Sequence, residues 1–378
     1  MSLKRSGPRR LKALLSEKGF TLIELMLVVA IMGIITPAIT LIFLKSQQGM
    51  AADEMHGQLK NANEQAMDQI HERLSTGARL FVNDGFGSLL LNQVNRTGGA
   101  PAPVTQSQLP QIENNDSLSA GVSGFVAADI GNEIFFAAND STQTIVNSTT
   151  RATTIYPCPA TFTNLVDSAS VTHTVVLNLF RFYYYYLTPV NSHGPAGVTT
   201  YQLVEWQSQP IADYNELNGI SDATLLSNAV SALEKPVVTT SGPFAVYTGG
   251  VSYSWDDTAT NPVTSFYQLQ IGSPNQVAQT SVSLLQAQYN NLIYVTAGVL
   301  SNGFKWGIPP NSSQWGTSQQ VPIWATASGS FPGGFEVVVA GNGAGRQVLV
   351  HSVLVAKGAA PQVAVNALTS ITSVRDVW

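Results

Sequence analysis

Between Phe20 and Leu44 the chain runs 25 residues with a single ionisable side chain, Glu24. A carboxylate in hydrocarbon costs about 3 kcal/mol unless something neutralises it, so an acid kept there marks a charge-pairing task. No other constellation offers chemistry as direct. His56, His71, His173, His193 and His351 are scattered, with no H-x-x-x-H or H-E-x-x-H spacing. No G-x-S-x-G motif is present, and Cys158, between Pro157 and Pro159, has no sequence-local histidine to activate it. It reads as a small buried or loop thiol, with dimerisation through it as the alternative. A single cysteine excludes an intramolecular disulfide framework and a multi-cysteine zinc site. Gly341-Asn342-Gly343-Ala344-Gly345 lacks the last glycine of G-x-G-x-x-G and precedes a strand, so it reads as a hairpin loop and not a phosphate cradle. Asp256-Asp257 and Asn114-Asn115-Asp116 match no complete calcium loop and read as turn caps. The expectation is a non-enzyme without metal or cofactor.

The element that must position Glu24 is the apolar run itself. Twenty-five residues suffice to cross a hydrocarbon core of about 30 Å as a helix. Before it stand Lys4, Arg5, Arg9, Arg10, Lys12 and Lys18, opposed by Glu17 alone, a bias that keeps the N-terminus cytoplasmic and exports the rest. After it comes Lys45-Ser46-Gln47-Gln48-Gly49, without the small-residue pattern of an ordinary cleaved signal, so a plain anchor is the simplest reading. Gly33 and Pro37 lie within the run. Proline removes one helical hydrogen bond, which predicts a kink or a loosened turn. From Gly49 to Leu80 prolines are absent, and Met55, Leu59, Ala62, Ala66, Ile70 and Leu74 recur at spacings of three and four. That is a helical stripe, ending near Ser75-Thr76-Gly77 or a turn later. A free coiled coil is the alternative.

The junction Lys18-Gly19-Phe20-Thr21-Leu22-Ile23-Glu24-Leu25 resembles the class III signal of type IV prepilins and pseudopilins. The likeness covers the leader and first helix, about the first fifth of the chain. It implies cleavage between Gly19 and Phe20 by a prepilin peptidase and N-methylation of Phe20. It implies that Glu24 pairs with the terminal amine of a neighbouring subunit as it docks. It also implies that the turn around Gly33 and Pro37 can loosen in a filament, a reading that stands beside the plain membrane kink. Removing residues 1–19 leaves 12 of 18 basic and 22 of 23 acidic residues, a formal charge of −10 in place of −5. That acidity, with pI near 5.5, argues against nucleic acid as a partner.

Charged residues make up 11% of the chain against a usual 25% or so, and Ser, Thr, Asn, Gln and 31 Gly fill the difference. This reads as a β-rich extracytoplasmic head. Strands are predicted over Glu133–Ala137, Thr172–Leu187, Tyr201–Gln207, Val237–Thr240, Phe266–Ile271, Leu292–Val299, Phe335–Ala340 and Gln347–Ala356, with short helices at Tyr214–Leu217 and Leu225–Leu233. Tyr183–Leu187 and Tyr201–Trp206 read as a hairpin. Strand alternation gives Tyr183-Tyr184-Tyr185-Tyr186 one buried and one half-exposed pair. Trp255, Trp306, Trp315 and Trp324 lie in Gly/Ser/Asn-rich loops and are candidates for a ligand or partner surface. The Gly/Pro-rich Thr97–Pro103 reads as a linker.

The expected fold is α+β: a long spine helix, transmembrane in its first half, on an antiparallel β-sheet head with β-rich elaboration. Its parts are a leader (1–19), a spine (20–80, membrane segment 20–44) and a head (81–378), subdivided near 236. The head is too bulky to repeat easily along a filament, and the chain is most similar to large W-type minor pilins. Its lone Cys158 departs from relatives closed by disulfides. The resemblance implies a low-abundance tip or priming subunit that promotes pilus assembly from the bacterial inner membrane. Its partners would be other minor pilins, the major pilin, the prepilin peptidase, the inner-membrane assembly platform and a tip adhesin. A type II secretion pseudopilin and a membrane-anchored adhesin or ligand-binding module are the alternatives.

Overall fold

The computed structural model describes residues 21–92, 94–95, 103, 107–113, 129–139, 142–146, 153–157, 159–189, 200–208, 211–233, 253–261, 265–269, 276–278, 285–286, 288–291, 304–307, 334–341, 345–357 and 363–374. The main elements begin with α1 (Leu22–Ser75), β1 (Gly77–Phe81), α2 (Gly85–Asn92), β2 (Glu133–Asn139), β3 (Ala160–Val166), β4 (Thr172–Leu177), β5 (Leu179–Pro189) and β6 (Thr200–Gln207). They continue with β7 (Ile211–Asp213), α3 (Tyr214–Asn218), α4 (Ala223–Leu233), β8 (Tyr253–Trp255), β9 (Phe266–Leu269), β10 (Phe304–Gly307), β11 (Phe335–Ala340), β12 (Arg346–Lys357) and β13 (Val363–Val374). The chain divides into two compact units, up to Asp53 and from Glu54, and α1 contributes to both. The fold is α+β, a long apolar N-terminal helix with its C-terminal part packed against a mixed, mainly antiparallel sheet.

Within the second unit, the predicted stripe of α1 is the buried one. Leu59, Ala62, Ala66, Met67, Ile70 and Leu74 pack on one face of the main sheet. That face is built by alternate residues: Ile134, Phe136 and Ala138 of β2, Tyr183, Tyr185 and Leu187 of β5, Leu203 of β6, and Val348, Val350 and Leu354 of β12. The helix ends at Ser75, where the Thr76 N–H and hydroxyl both reach the carbonyl of Arg73. Gly77–Phe81, of which residues 77–80 were expected in the spine, forms β1 and pairs antiparallel with β2.

The opposite face carries a second core of Phe81, Phe135, Phe180, Phe182, Tyr184, Tyr186, Trp206, Trp255 and Phe266. The rings meet stacked or edge-on, as for Phe81 on Phe182 at 5.8 Å and Phe182 against Trp255 at 5.0 Å. Each such pair adds about 1 kcal/mol beyond its buried area. This second layer overturns the expectation for the tyrosines. Tyr183 is 2% exposed and Tyr184, Tyr185 and Tyr186 are 0% exposed, because both sheet faces are covered, one by α1 and one by the aromatic layer. Two of these phenols are bonded to carboxylates: Tyr185 donates to Glu205 at 2.7 Å, and Tyr184 donates to Glu133. Burial, with the Glu205 carboxylate alongside, pushes the Tyr185 phenol well above its usual range, so it stays a neutral donor.

The β5–β6 hairpin has the expected pairing, Leu187 opposite Leu203 and Tyr183 opposite Gln207. The predicted run Thr172–Leu187 is two strands. Glu216 of α3 accepts from both the backbone N–H and the side chain of Asn178, and the Asp213 N–H donates to the Asn178 carbonyl at 2.9 Å. These bonds turn the chain, so β4 pairs with β3 in a separate ribbon while β5 enters the main sheet. The ribbon, α3 and α4 share a third core that includes Phe162, Leu177, Leu217, Leu226 and Val230. The two short helices fall where predicted.

Residues Phe335–Ala340 and Gln347–Ala356 form the expected antiparallel pair around Gly341, where φ is +117°. β12 also pairs along its whole length with β13, a strand the sequence reading passed over. The main sheet holds strands from both sides of residue 236. The predicted strands Val237–Thr240 and Leu292–Val299, Cys158 and most of the linker 97–103 lie outside the described residues. The ends of α1, β1 and β13 converge at Gly77. A Cβ there would stand 2.8 Å from the Leu74 carbonyl oxygen and 2.9 Å from Val374 Cγ1. The carbonyl is backbone and cannot yield, so Gly77→Ala is expected to destabilise the protein by about 1–3 kcal/mol, read as a lowered unfolding midpoint of the detergent-solubilised chain.

Candidate functional site

The first turn of α1 is a reciprocal cap. Thr21 precedes the helix, and its carbonyl accepts the first helical bond, from the Leu25 N–H at 3.1 Å. Its Oγ1 accepts the Glu24 N–H at 3.3 Å. In return, Glu24 Oε2 accepts from both the Thr21 N–H and the Thr21 hydroxyl, each at 2.9 Å. Threonine followed three residues on by glutamate is the capping-box arrangement, which satisfies donors that a helix start leaves without partners. The carboxylate also sits at the positive end of the helix dipole. Glu24 is therefore held in place by its own chain, with Oε1 outside these bonds.

The sequence reading singled out Glu24 and missed Thr21. The signal was there, in a threonine, two apolar residues and a glutamate opening an apolar run. Gly33 and Pro37 lie within a helix that is continuous from Leu22 to Ser75. Pro37 has no N–H for the Gly33 carbonyl, and an added Cβ at Gly33 would meet nothing within 4 Å. One turn on, the Thr40 hydroxyl donates to the Thr36 carbonyl at 2.8 Å. Side chains from Leu22 to Leu44 are exposed, and an 18-residue window of α1 reaches a mean hydropathy of 2.6, long and apolar enough to cross a membrane.

A family model for the prokaryotic N-terminal methylation motif matches residues 14–36.

That span includes the Gly19–Phe20 junction, Thr21, Glu24 and Gly33, and ends just before Pro37. The match supports a type IV pilin-like protein, and with the apolar helix it fits a single-pass membrane-anchored chain. No curated protein and no solved structure matches the sequence. Gly19 and Phe20 lie outside the described residues.

Of the four candidate tryptophans, Trp255 has a described side chain. Trp255 is 0% exposed in β8, locked edge-on against Phe180 and Phe182, so it belongs to the core and not to a ligand face. Its expected place in a loop fails because Tyr253–Trp255 pairs with both β7 and β9. Trp306 lies in β10, its side chain outside the described set, and Trp315 and Trp324 are also outside it. Among the described residues, no group of three His, Cys, Asp or Glu side chains gathers to hold a metal ion.

The cap makes a direct prediction. Thr21→Val keeps the shape of the side chain and removes its hydroxyl, so the first turn loses about 1 kcal/mol and the Glu24 amide exchanges faster in detergent micelles, while Thr21→Ser keeps its protection. Equal exchange in Thr21→Val and the native protein would contradict the cap.

Proposed function

We propose that the protein is a minor pilin of a type IV pilus, a low-abundance tip or priming subunit that promotes pilus assembly. It is processed after Gly19 by a prepilin peptidase, and it docks through Glu24. The observation that carries this reading is the carboxylate of Glu24, fixed by Thr21 in the first turn of a bare apolar helix inside a match to the methylation motif. Cleavage before Phe20 creates an α-amine one helical turn from that carboxylate. In an assembly, the amine of an adjacent subunit replaces water as its partner, and the low dielectric strengthens the pairing. The cap keeps Oε2 occupied and leaves Oε1 to receive the incoming cation.

The size of the head supports a minor role, since a body built from residues 54–378 is bulky to repeat along a filament. In this reading the chain sits in the inner membrane before assembly. Its partners are other minor pilins, the major pilin, the assembly platform and a tip adhesin, and its role is structural, not catalytic.

Glu24→Ala is expected to leave the protein in the membrane and to reduce its recovery in sheared pili at least tenfold, while Glu24→Asp recovers part of the loss. Unchanged recovery of Glu24→Ala would remove the docking role. Deletion of the gene is expected to abolish surface piliation and twitching with protein secretion intact. Lost secretion with normal piliation would assign the chain to a type II secretion pseudopilus instead.

A further inference from the structure

The contact between α1 and the sheet contains a polar layer that packing alone does not require. Asn63 is buried at 0% exposure in the middle of the apolar stripe. Its Nδ2 donates to Asn366 Oδ1 of β13 at 2.7 Å, and its Oδ1 accepts from the Ser352 hydroxyl of β12 at 2.6 Å. Two turns on, Gln69 Nε2 donates to Glu205 Oε2 at 2.8 Å, the same oxygen that accepts from Tyr185. Arg73 lies over the Tyr183 ring at 5.3 Å. Burial works against the Arg73 guanidinium, but Tyr183, Glu205, Tyr185 and Glu72 outweigh it and raise its proton affinity, so it stays charged beside the buried acid.

We propose that this layer is a register lock, fixing which residues of the spine the head is attached to. The apolar stripe and the one-residue link from Ser75 to β1 share this work, and the polar layer adds the residue-specific part. A slide of four residues places Ala62 where Ala66 was and Ile70 where Leu74 was, matches the sheet accepts, but it also places Ala66 where Ile70 was and Gln58 where Ala62 was, so the stripe opposes the slide only in part. The polar layer does not survive the slide. Leu59 or Met67 arrives at the place of Asn63, and the buried Ser352 hydroxyl and the half-buried Asn366 amide then lose those bonds. A shift in one direction brings Gln65 to the place of Gln69, where it can serve Glu205 equally well, so within the polar layer Asn63 carries the discrimination. Buried polar groups that fix register at some expense of stability have precedent in helix pairing. With the register fixed, the number of spine residues between Glu24 and the attachment at Asn63 is the same in every copy of the chain. The lock belongs to the fold and holds whether or not the chain serves a pilus.

The test is disulfide trapping in the full-length protein in detergent, with Cys158→Ser as background. His71→Cys with Thr372→Cys reports the native register, in which His71 Nδ1 and Thr372 Oγ1 lie 2.7 Å apart. Asp68→Cys or Ser75→Cys with Thr372→Cys reports shifts of about one turn either way. With the layer intact, only the native pair closes. With Asn63→Leu, Ser352→Ala and Asn366→Val combined, a shifted pair is expected to cross-link at least tenfold more than before. Asn63→Ala alone is the milder variant if the triple change does not fold, and the same outcome is expected of it. Exclusive native cross-linking in a folded variant lacking the layer would overturn the lock.

Discussion

The rest of the structure depends on the burial of both faces of β5. Its odd-numbered tyrosines meet α1 and its even-numbered ones meet the aromatic layer, so the strand sits between two cores. That double burial explains why the phenols of Tyr184 and Tyr185 are each bonded to a carboxylate. A phenol or carboxylate in such a site costs more unpaired than it returns paired. Tyr184 with Glu133 and Tyr185 with Glu205 are the outcome, one pair on each face.

Carboxylates do different work in the two units. Glu205 is enclosed by a phenol, an amide and a nearby guanidinium, which suits a permanent structural bond. Glu24 is held by a single threonine at the start of a helix whose side chains are exposed from Leu22 to Leu44. The local geometry thus separates an acid whose bonds stabilise the head from an acid with one carboxylate oxygen outside its cap. Residues 14–36, matched to the methylation motif, surround the second kind.

Much of this was legible in the residues. The apolar run, the Glu24 anomaly and the stripe from Leu59 to Leu74 are local patterns with a fixed period, and local patterns survive into the fold. The β5–β6 hairpin was legible for the same reason. What failed was non-local. Nothing in Thr172–Leu187 announces that Glu216, 38 residues beyond Asn178, will break the strand. Alternation along the tyrosine run gives two faces but not what covers each. Trp255 sits among turn-forming residues, yet its pairing partners come from β7 and β9. The strand Val363–Val374, rich in Ala, Ser, Thr and Asn, lacks the aromatic content that marked the others, and it earns its place by pairing with β12. In the candidate site, Glu24 was conspicuous as a charge in an apolar run. Thr21 carried a signal as well, the T-x-x-E spacing of a capping box, but a threonine opening a helix is far less conspicuous than a charge in an apolar run.

The central claim is that Glu24 belongs to a processed, pilin-like N-terminus. The intact mass of the protein extracted from membranes of cells with an active prepilin peptidase tests it most directly. The account predicts a chain beginning at Phe20 and carrying one added methyl group. A mass that retains residues 1–19, or one that begins elsewhere, would contradict it.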